Sequence, residues 1–258
     1  MPRDPKVVVI TGAGSGIGAA LAAEAVKSGW RPVLVGRREE ALAAVASALP
    51  EGSGAVCVSA DITSPEGRQA IRAAVEDLGG RLDMLVNNAG VVSTGEFEHM
   101  GDDAVSAMIK TNLAAPVALT ATLIDCLGKS QNGRIVNVGS MFGDIAFPLF
   151  AVYSATKFGM RGLSDALRRE LAPEIGVTYA APRAVRTPAA DAFNDLVEPF
   201  NMKLDRADKV ARRIWKGALK GRRTVYPRGP ERLFLLVQKL APGLVDGGLV
   251  KQYQAYKA

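Results

Sequence analysis

Tyr153 and Lys157 stand four residues apart, so on a helix their side chains share one face. A lysine cation beside a phenol favours the phenolate and lowers the phenol pKa, which makes the tyrosine usable as an acid or base near neutral pH. Spacing alone is weak evidence: Tyr253 and Lys257 repeat it, in a chain of five tyrosines and 12 lysines. Context separates the two pairs. Ser140 lies 13 residues before Tyr153, just after the apolar run Ile135-Val136-Asn137-Val138, whereas Leu240 holds that place before Tyr253. A serine hydroxyl there can hold a carbonyl oxygen against the tyrosine, and Asn112 can position a water that relays a proton to the lysine. Each also has a plain structural use, Ser140 as a turn former and Asn112 as a core residue that distorts its helix.

A second constellation suits phosphate. Thr11-Gly12-Ala13-Gly14-Ser15-Gly16-Ile17-Gly18 follows a β-branched apolar run and opens an alanine-rich stretch. Glycines let the backbone approach a pyrophosphate, and free N–H groups at a helix start favour its charge. Gly14-x-Gly16-x-x-Ala19 fits the general dinucleotide pattern. The end of the second strand should then meet the adenosine ribose, where a carboxylate would bind a 2′-hydroxyl and an arginine a 2′-phosphate. Gly36-Arg37-Arg38 stands there without a carboxylate. NADP(H) is therefore expected in preference to NAD(H), the alternative being that the arginines are only an exposed pair at a helix start.

Composition narrows the rest. The 258 residues are 48% hydrophobic, enough for one large or two small domains and too apolar for disorder. Cys57 and Cys126 have no paired spacing, and His99 is the sole histidine. Disulfide frameworks, Ser-His-Asp or Cys-His hydrolysis and a thiolate or histidine metal site are thereby excluded, and no metal is expected. Met1 to Pro5 is polar, with no basic head before a long apolar segment, so a cytoplasmic protein is expected. No run of about 18 apolar residues suggests a spanning helix, and Leu233 to Val237 reaches only five.

The elements that must position these residues alternate. Strands are predicted over 6–10, 32–35, 55–59, 84–86, 134–138, 177–181 and 224–226, with helices over 17–28, 39–49, 65–78, 102–127 with a bend at Pro116, 152–171 and 207–220. This order implies right-handed crossovers and one α/β domain: a single-domain Rossmann fold, a doubly wound parallel sheet of about seven strands with helices on both faces. That domain is taken as residues 1–230, including a substrate loop near 188–206, with 231–258 as a C-terminal extension.

Taken together, the sequence resembles the short-chain dehydrogenase/reductase family over residues 6 to about 188. The likeness rests on Thr11-Gly12-x-x-x-Gly16-x-Gly18, Asp61, Asn87-Asn88-Ala89-Gly90, Asn112, Ser140 and Tyr153-Ser154-Ala155-Thr156-Lys157, in order and at the usual intervals. The resemblance implies that Asp61 meets the adenine, that Asn88, Ala89 and Gly90 line the cofactor cleft, and that Lys157 also holds the nicotinamide ribose. It implies hydride transfer between NAD(P)(H) and a carbonyl or secondary alcohol carbon, of the carbonyl reductase or alcohol dehydrogenase type. A homodimer or homotetramer follows from the same likeness.

One departure is visible. Where the family carries Pro-Gly-x-x-x-Thr beside the nicotinamide, this chain has Pro182-Arg183-Ala184-Val185-Arg186-Thr187, so Pro182, Val185 and Thr187 match and Arg183 does not. Arg183 either recognises an anionic substrate group or fills an outward, solvated position, and the second is expected. Met141, Phe142, Phe147, Leu149, Phe150, Phe193, Leu196 and Phe200 are candidate walls for an apolar ketone, or else core or interface residues.

Charge is uneven: residues 1–200 carry 18 Lys/Arg and 22 Asp/Glu, residues 201–258 carry 14 and 4. In the extension, Leu233, Leu236, Val237 and Leu240 share a helical face. That face is expected to pack, covering the pocket or another subunit, because Pro242-Gly243 and Gly247-Gly248 interrupt the segment. The alternative is peripheral contact with a membrane surface. No nucleic-acid signature accompanies the basic charge, so nucleic acid is not an expected partner. From another functional class, the chain would be a catalytically silent NADP(H)-binding regulator, with Arg183 as its lesion and the tail as its partner site.

Overall fold

The computed structural model describes residues 4–229 and 231–258. Its strands are β1 (Lys6–Thr11), β2 (Trp30–Gly36), β3 (Val56–Ser59), β4 (Met84–Asn87), β5 (Gly133–Val138), β6 (Ile175–Ala180), β7 (Val185–Arg186), β8 (Asp205–Arg206) and β9 (Thr224–Val225). Its helices are α1 (Gly16–Lys27), α2 (Glu39–Ser47), α3 (Pro65–Asp77), α4 (Asp102–Ile109), α5 (Ala115–Gly128), α6 (Ala151–Glu170), α7 (Asn194–Val197), α8 (Ala207–Leu219), α9 (Glu231–Leu240) and α10 (Pro242–Lys257). Seven strands form one parallel sheet in the order β3-β2-β1-β4-β5-β6-β9, as the alternation of elements predicts, and β7 and β8 pair separately.

The β-branched run of β1 is why it sits at the centre. Its side chains alternate: Val8 and Ile10 pack under α1 and α8 with Leu21, Ala25, Ile214 and Trp215, while Val7 and Val9 pack under α3 and α5 with Ile71, Val75, Leu119 and Leu123. Each fully buried aliphatic side chain contributes about 1.5–3 kcal/mol of transfer free energy. The order in which strands are added reverses between β1 and β4, which pair in parallel, and this opens a crevice at their carboxyl ends.

Two expectations about the long helix are corrected. A bend was expected at Pro116, and the distortion lies one turn earlier, as a π-turn over Lys110–Ala114 in which Ala115 N–H donates to Lys110 C=O. The proline is still its cause, since Pro116 has no N–H to give the carbonyl of Asn112, four residues before it. No segment was expected to be long and apolar enough to cross a bilayer, yet the 27-residue run Asp102–Gly128 is. Leu119, Leu123, Cys126 and Leu127 within it are fully buried against the sheet, which accounts for its apolar character.

The extension is corrected too. α10 runs through Pro242-Gly243 and Gly247-Gly248, which the sequence reading took as breaks. Pro242 occupies the first turn, where its fixed φ starts a helix and its missing N–H costs nothing. Buried Val245 and half-buried Leu249 and Tyr253 anchor the same helix and offset the glycines.

A buried polar chain ties the sheet to α5 and α6. Asn87 Nδ2 donates to Thr120 Oγ1 (3.1 Å) and to Asn137 Oδ1 (2.9 Å), Asn137 Nδ2 donates to Ser164 Oγ (2.9 Å), and Ser164 Oγ donates to Met160 C=O (2.7 Å). Replacing Asn137 by Ala strips Asn87 and Ser164 of partners in a dry core. The expected cost is about 1–3 kcal/mol, read as a lower urea midpoint, and an unchanged midpoint would show that the chain is not under load.

Candidate active site

A cleft of about 880 Å³ opens at the carboxyl ends of the strands. At one end lies the turn between β1 and α1, with Gly12, Gly14, Ser15, Gly16 and Ile17 on the wall. Gly16 has φ +57°, in the region that disfavours a side chain, and a β-carbon there would stand 2.8 Å from Thr187 Cγ2. Gly18 lies behind the wall: its own β-carbon would fall 2.2 Å from Gly12 C=O and 2.7 Å from Asn88 Nδ2. The backbone here therefore approaches as closely as glycine permits, with the start of α1 facing the cleft.

Thr11, which carried no role in the sequence reading beyond its place in the motif, holds this end together. Its Oγ1 accepts the N–H groups of Asn88 (2.9 Å) and Ala89 (3.0 Å) and donates to Val86 C=O (3.3 Å), while Asn88 Nδ2 donates to Thr11 C=O at 2.8 Å. Asn88, Ala89 and Gly90 consequently line the cleft. Arg37 and Arg38 stand on its wall just after β2, with Asp61 across from them. The backbone N–H of Thr63 donates to Asp61 Oδ1 at 2.8 Å, and that bond, with the Thr63 hydroxyl and the Arg37 charge, outweighs burial and holds the carboxyl below the usual range.

At the other end Ser140, Tyr153 and Lys157 converge. Ser140 follows β5 and its side chain caps a short helical turn, accepting Phe142 N–H at 3.1 Å. Tyr179 on β6 fixes the serine from behind: its hydroxyl donates to Ser140 C=O at 3.1 Å and accepts Ser140 N–H at 3.4 Å. This positioning residue was missed because nothing in its sequence neighbourhood distinguishes it from a core tyrosine. Tyr153 and Lys157 sit on the first turns of α6, with the Lys157 ammonium 5.4 Å from the Tyr153 ring centroid and donating to Val138 C=O at 3.2 Å.

The sequence argument had the lysine lowering the phenol pKa. In this cleft desolvation dominates instead: burial pushes Tyr153 up to about 12, against a hydrogen bond with Ser140 that pulls it down, and pushes Lys157 down to about 8. Both groups are held in their neutral-leaning direction, so the phenol is set up as a proton donor.

Asn112 is not on the cleft wall. Its side chain is engaged behind Gly90, where Oδ1 accepts Val91 N–H at 2.8 Å and Nδ2 donates to Val91 C=O at 2.8 Å and to Thr156 Oγ1 at 3.3 Å. A side chain so committed clamps the strand end to α6.

Pro182, Val185 and Thr187 line the cleft as expected, and Met141 N–H donates to Pro182 C=O at 3.0 Å. Arg183 was expected to point to solvent and does not. It lies on the wall, largely buried, with its guanidinium 2.7 Å from Asp205 Oδ1. Asp205 begins β8, whose pairing with β7 closes the base of the substrate loop, so the carboxylate draws the arginine inward. Of the candidate walls, Met141, Phe142, Phe147, Phe150, Phe193 and Phe200 line the cleft, while Leu149 and Leu196 back them in one cluster.

Tyr253 and Lys257 share the spacing of the cleft pair but lie off the cleft wall. They bind Glu96, through Tyr253 Oη at 3.3 Å and Lys257 Nζ at 2.7 Å, and this exposed pairing lowers the Glu96 carboxyl and raises Lys257. Tyr256 on the same helix stacks on Phe200, with centroids 5.4 Å apart. Among the described residues, ligand atoms of Glu96, Glu98 and His99 also lie within 4.8 Å of one another, outside the cleft wall.

Fold and cleft define a doubly wound dinucleotide-binding protein with a serine, a tyrosine and a lysine at its reactive end. Residues 6–197 match the family model for short chain dehydrogenase, and the chain belongs to that family. It is 33% identical over 229 residues to the 3-dehydrosphinganine reductase of Danio rerio, covering 83% of this chain and 68% of the relative. It is 30% identical over 250 residues to the uncharacterized oxidoreductase YxnA of Bacillus subtilis, covering 93% and 70%. Among solved structures, a short-chain dehydrogenase from Sphingobium yanoikuyae in complex with NADPH superposes with a TM-score of 0.79 at 29% identity, covering 95% of each chain.

Because desolvation lowers Lys157, its cation should exist below about pH 8 in the free protein and be lost above it. Lysine-ammonium NMR should find one resonance titrating there and absent from Lys157→Met. A Lys157 midpoint near the ordinary 10.5 would show that water reaches the amine.

Proposed function

We propose that this protein is an NADP(H)-dependent reductase of an apolar ketone, with Tyr153 as the acid that protonates the carbonyl oxygen. The observation that carries this reading is one cleft with the glycine turn and Arg37/Arg38 at one end and Ser140, Tyr153 and Lys157 at the other. A dinucleotide fits these residues: Gly12, Gly14 and Gly16 bring backbone to the cleft at the start of α1, where a pyrophosphate would be held, and the Arg37 and Arg38 guanidinium groups line the same cleft just after β2, where they would pair with a 2′-phosphate. When bound, the nicotinamide supplies or accepts the hydride.

The chain's own residues do the rest. Ser140, held by Tyr179, donates a hydrogen bond to the substrate carbonyl and sets its oxygen against the phenol of Tyr153. As the carbon gains the hydride, the oxygen takes the phenolic proton, and the Lys157 cation across the ring offsets the charge left on the tyrosine. With a cofactor bound, Lys157 would also hold the nicotinamide ribose. Phe142, Phe147, Phe150 and Phe200 exclude water and select an apolar group beside the carbonyl, which agrees with a relative whose name is 3-dehydrosphinganine reductase. Exposed Ile109, Val117 and Phe158 on α4, α5 and α6 favour a homodimer or homotetramer, and unpaired Cys57 and Cys126 agree with a reducing, cytoplasmic setting.

Two outcomes test the proposal. Tyr153→Phe should lower turnover of a ketone by about a hundredfold to ten-thousandfold and leave calorimetric NADPH binding intact. If the wild type binds NADPH and reduces no ketone, the protein is a cofactor-binding regulator. Replacing both Arg37 and Arg38 by Ala should weaken NADPH by about tenfold to a hundredfold and leave NADH unchanged, and wild-type binding of NADH as tight as NADPH overturns the preference.

A further inference from the structure

Leu233, Leu236, Val237 and Leu240 share the face of α9 that was expected to pack. Val237 does pack, half-buried against the cluster of Met160 and Tyr179, and the rest of the face points out. The three leucines are 63%, 52% and 76% exposed, while Leu235, on the opposite side, is the residue that enters the core at 8%. Phe234 beside them and Leu244 at the start of α10 are also exposed. A surface helix ordinarily turns its apolar stripe inward, because each leucine left in water forfeits its transfer free energy. This helix is anchored by its narrower side and presents its wider apolar side to whatever lies outside.

From this orientation we propose that the outward face of α9, continued by the start of α10, is a docking surface for an anionic lipid bilayer. Charge decides the occupant. Residues 228–258 carry five Lys/Arg against two Asp/Glu, and of these Arg228, Lys239 and Lys251 are exposed. A second copy seated symmetrically on this face would bring two such basic segments together, whereas anionic headgroups neutralise them. α9 and α10 together have the apolar character of a membrane segment, yet they meet at a bend of 113°, which suits helices lying in the interface rather than crossing it.

The position has a consequence for the cleft. α10 returns from this surface to the substrate end, where Tyr256 stacks on Phe200 and Tyr253 joins the cluster of Phe150 and Leu196. Docking therefore sets the aromatic end of the cleft beside the bilayer. The docking surface itself does not depend on the proposed reaction.

Flotation of the full chain with vesicles tests it. Vesicles of phosphatidylcholine with about 30% phosphatidylglycerol should carry the wild type, and added salt should release it. The triple change Leu233→Glu, Leu236→Glu, Leu240→Glu should reduce binding at least about tenfold with helix content and NADPH binding retained. Lys239→Glu with Lys251→Glu should reduce it only on the anionic vesicles. The proposal is overturned if the wild type stays unbound, if it binds pure phosphatidylcholine equally, if the leucine variant still floats, or if that variant instead breaks an oligomer seen by light scattering.

Discussion

A buried amide N–H without a partner is costly, and the side-chain amides of Asn87 and Asn137 donate within one connected chain. Their side chains bridge β4 to β5 and reach Thr120 on α5 and Ser164 on α6. This fixes the rotation and height of α6 against the sheet, and α6 carries Tyr153 and Lys157 two turns earlier. The distance between the reactive tyrosine and the serine at the end of β5 is thus set by a polar network remote from both. Asn112 and Thr156 extend the same logic toward Gly90 and Val91, joining the wall of the cofactor end to the helix of the reactive end.

The environment of the cleft follows from this rigidity. With α6 pressed onto the sheet, Lys157 and Tyr153 lose water, and desolvation outweighs their mutual influence on protonation. A phenol kept protonated and a lysine of lowered pKa are suited to giving a proton to a carbonyl oxygen at the moment charge develops there. Tyr179 completes the frame by holding both backbone groups of Ser140, so the serine is placed by β5 and β6 and the tyrosine by α6.

The substrate loop and the extension are built on different principles. Arg183 and Asp205 join the ends of the loop by an ion pair where a glycine would leave it free, and Glu96 ties down α10 by charge at the surface. Apolar packing supplies the rest, through the cluster of Leu149, Phe150, Leu196 and Phe200 with Tyr253 against it. On α9, Leu233, Leu236 and Leu240 are left outside this packing.

The sequence by itself determined the sheet, the glycine turn and the reactive trio, because these depend on local rules: β-branched runs bounded by glycine, helical periodicity, and a spacing that puts Tyr153 and Lys157 on one face. It also told the pair that lines the cleft from Tyr253 and Lys257, through the serine 13 residues ahead. What it could not supply was direction. Whether Arg183 points in or out turned on Asp205, 22 residues away. Whether the side chain of Asn112 meets the cleft turned on Val91, and which side of α9 is buried turned on Leu235 reaching a cluster with Met160 and Tyr179. Periodicity reveals that a face exists, but only the competition among distant partners for the same space and the same charge decides what that face meets.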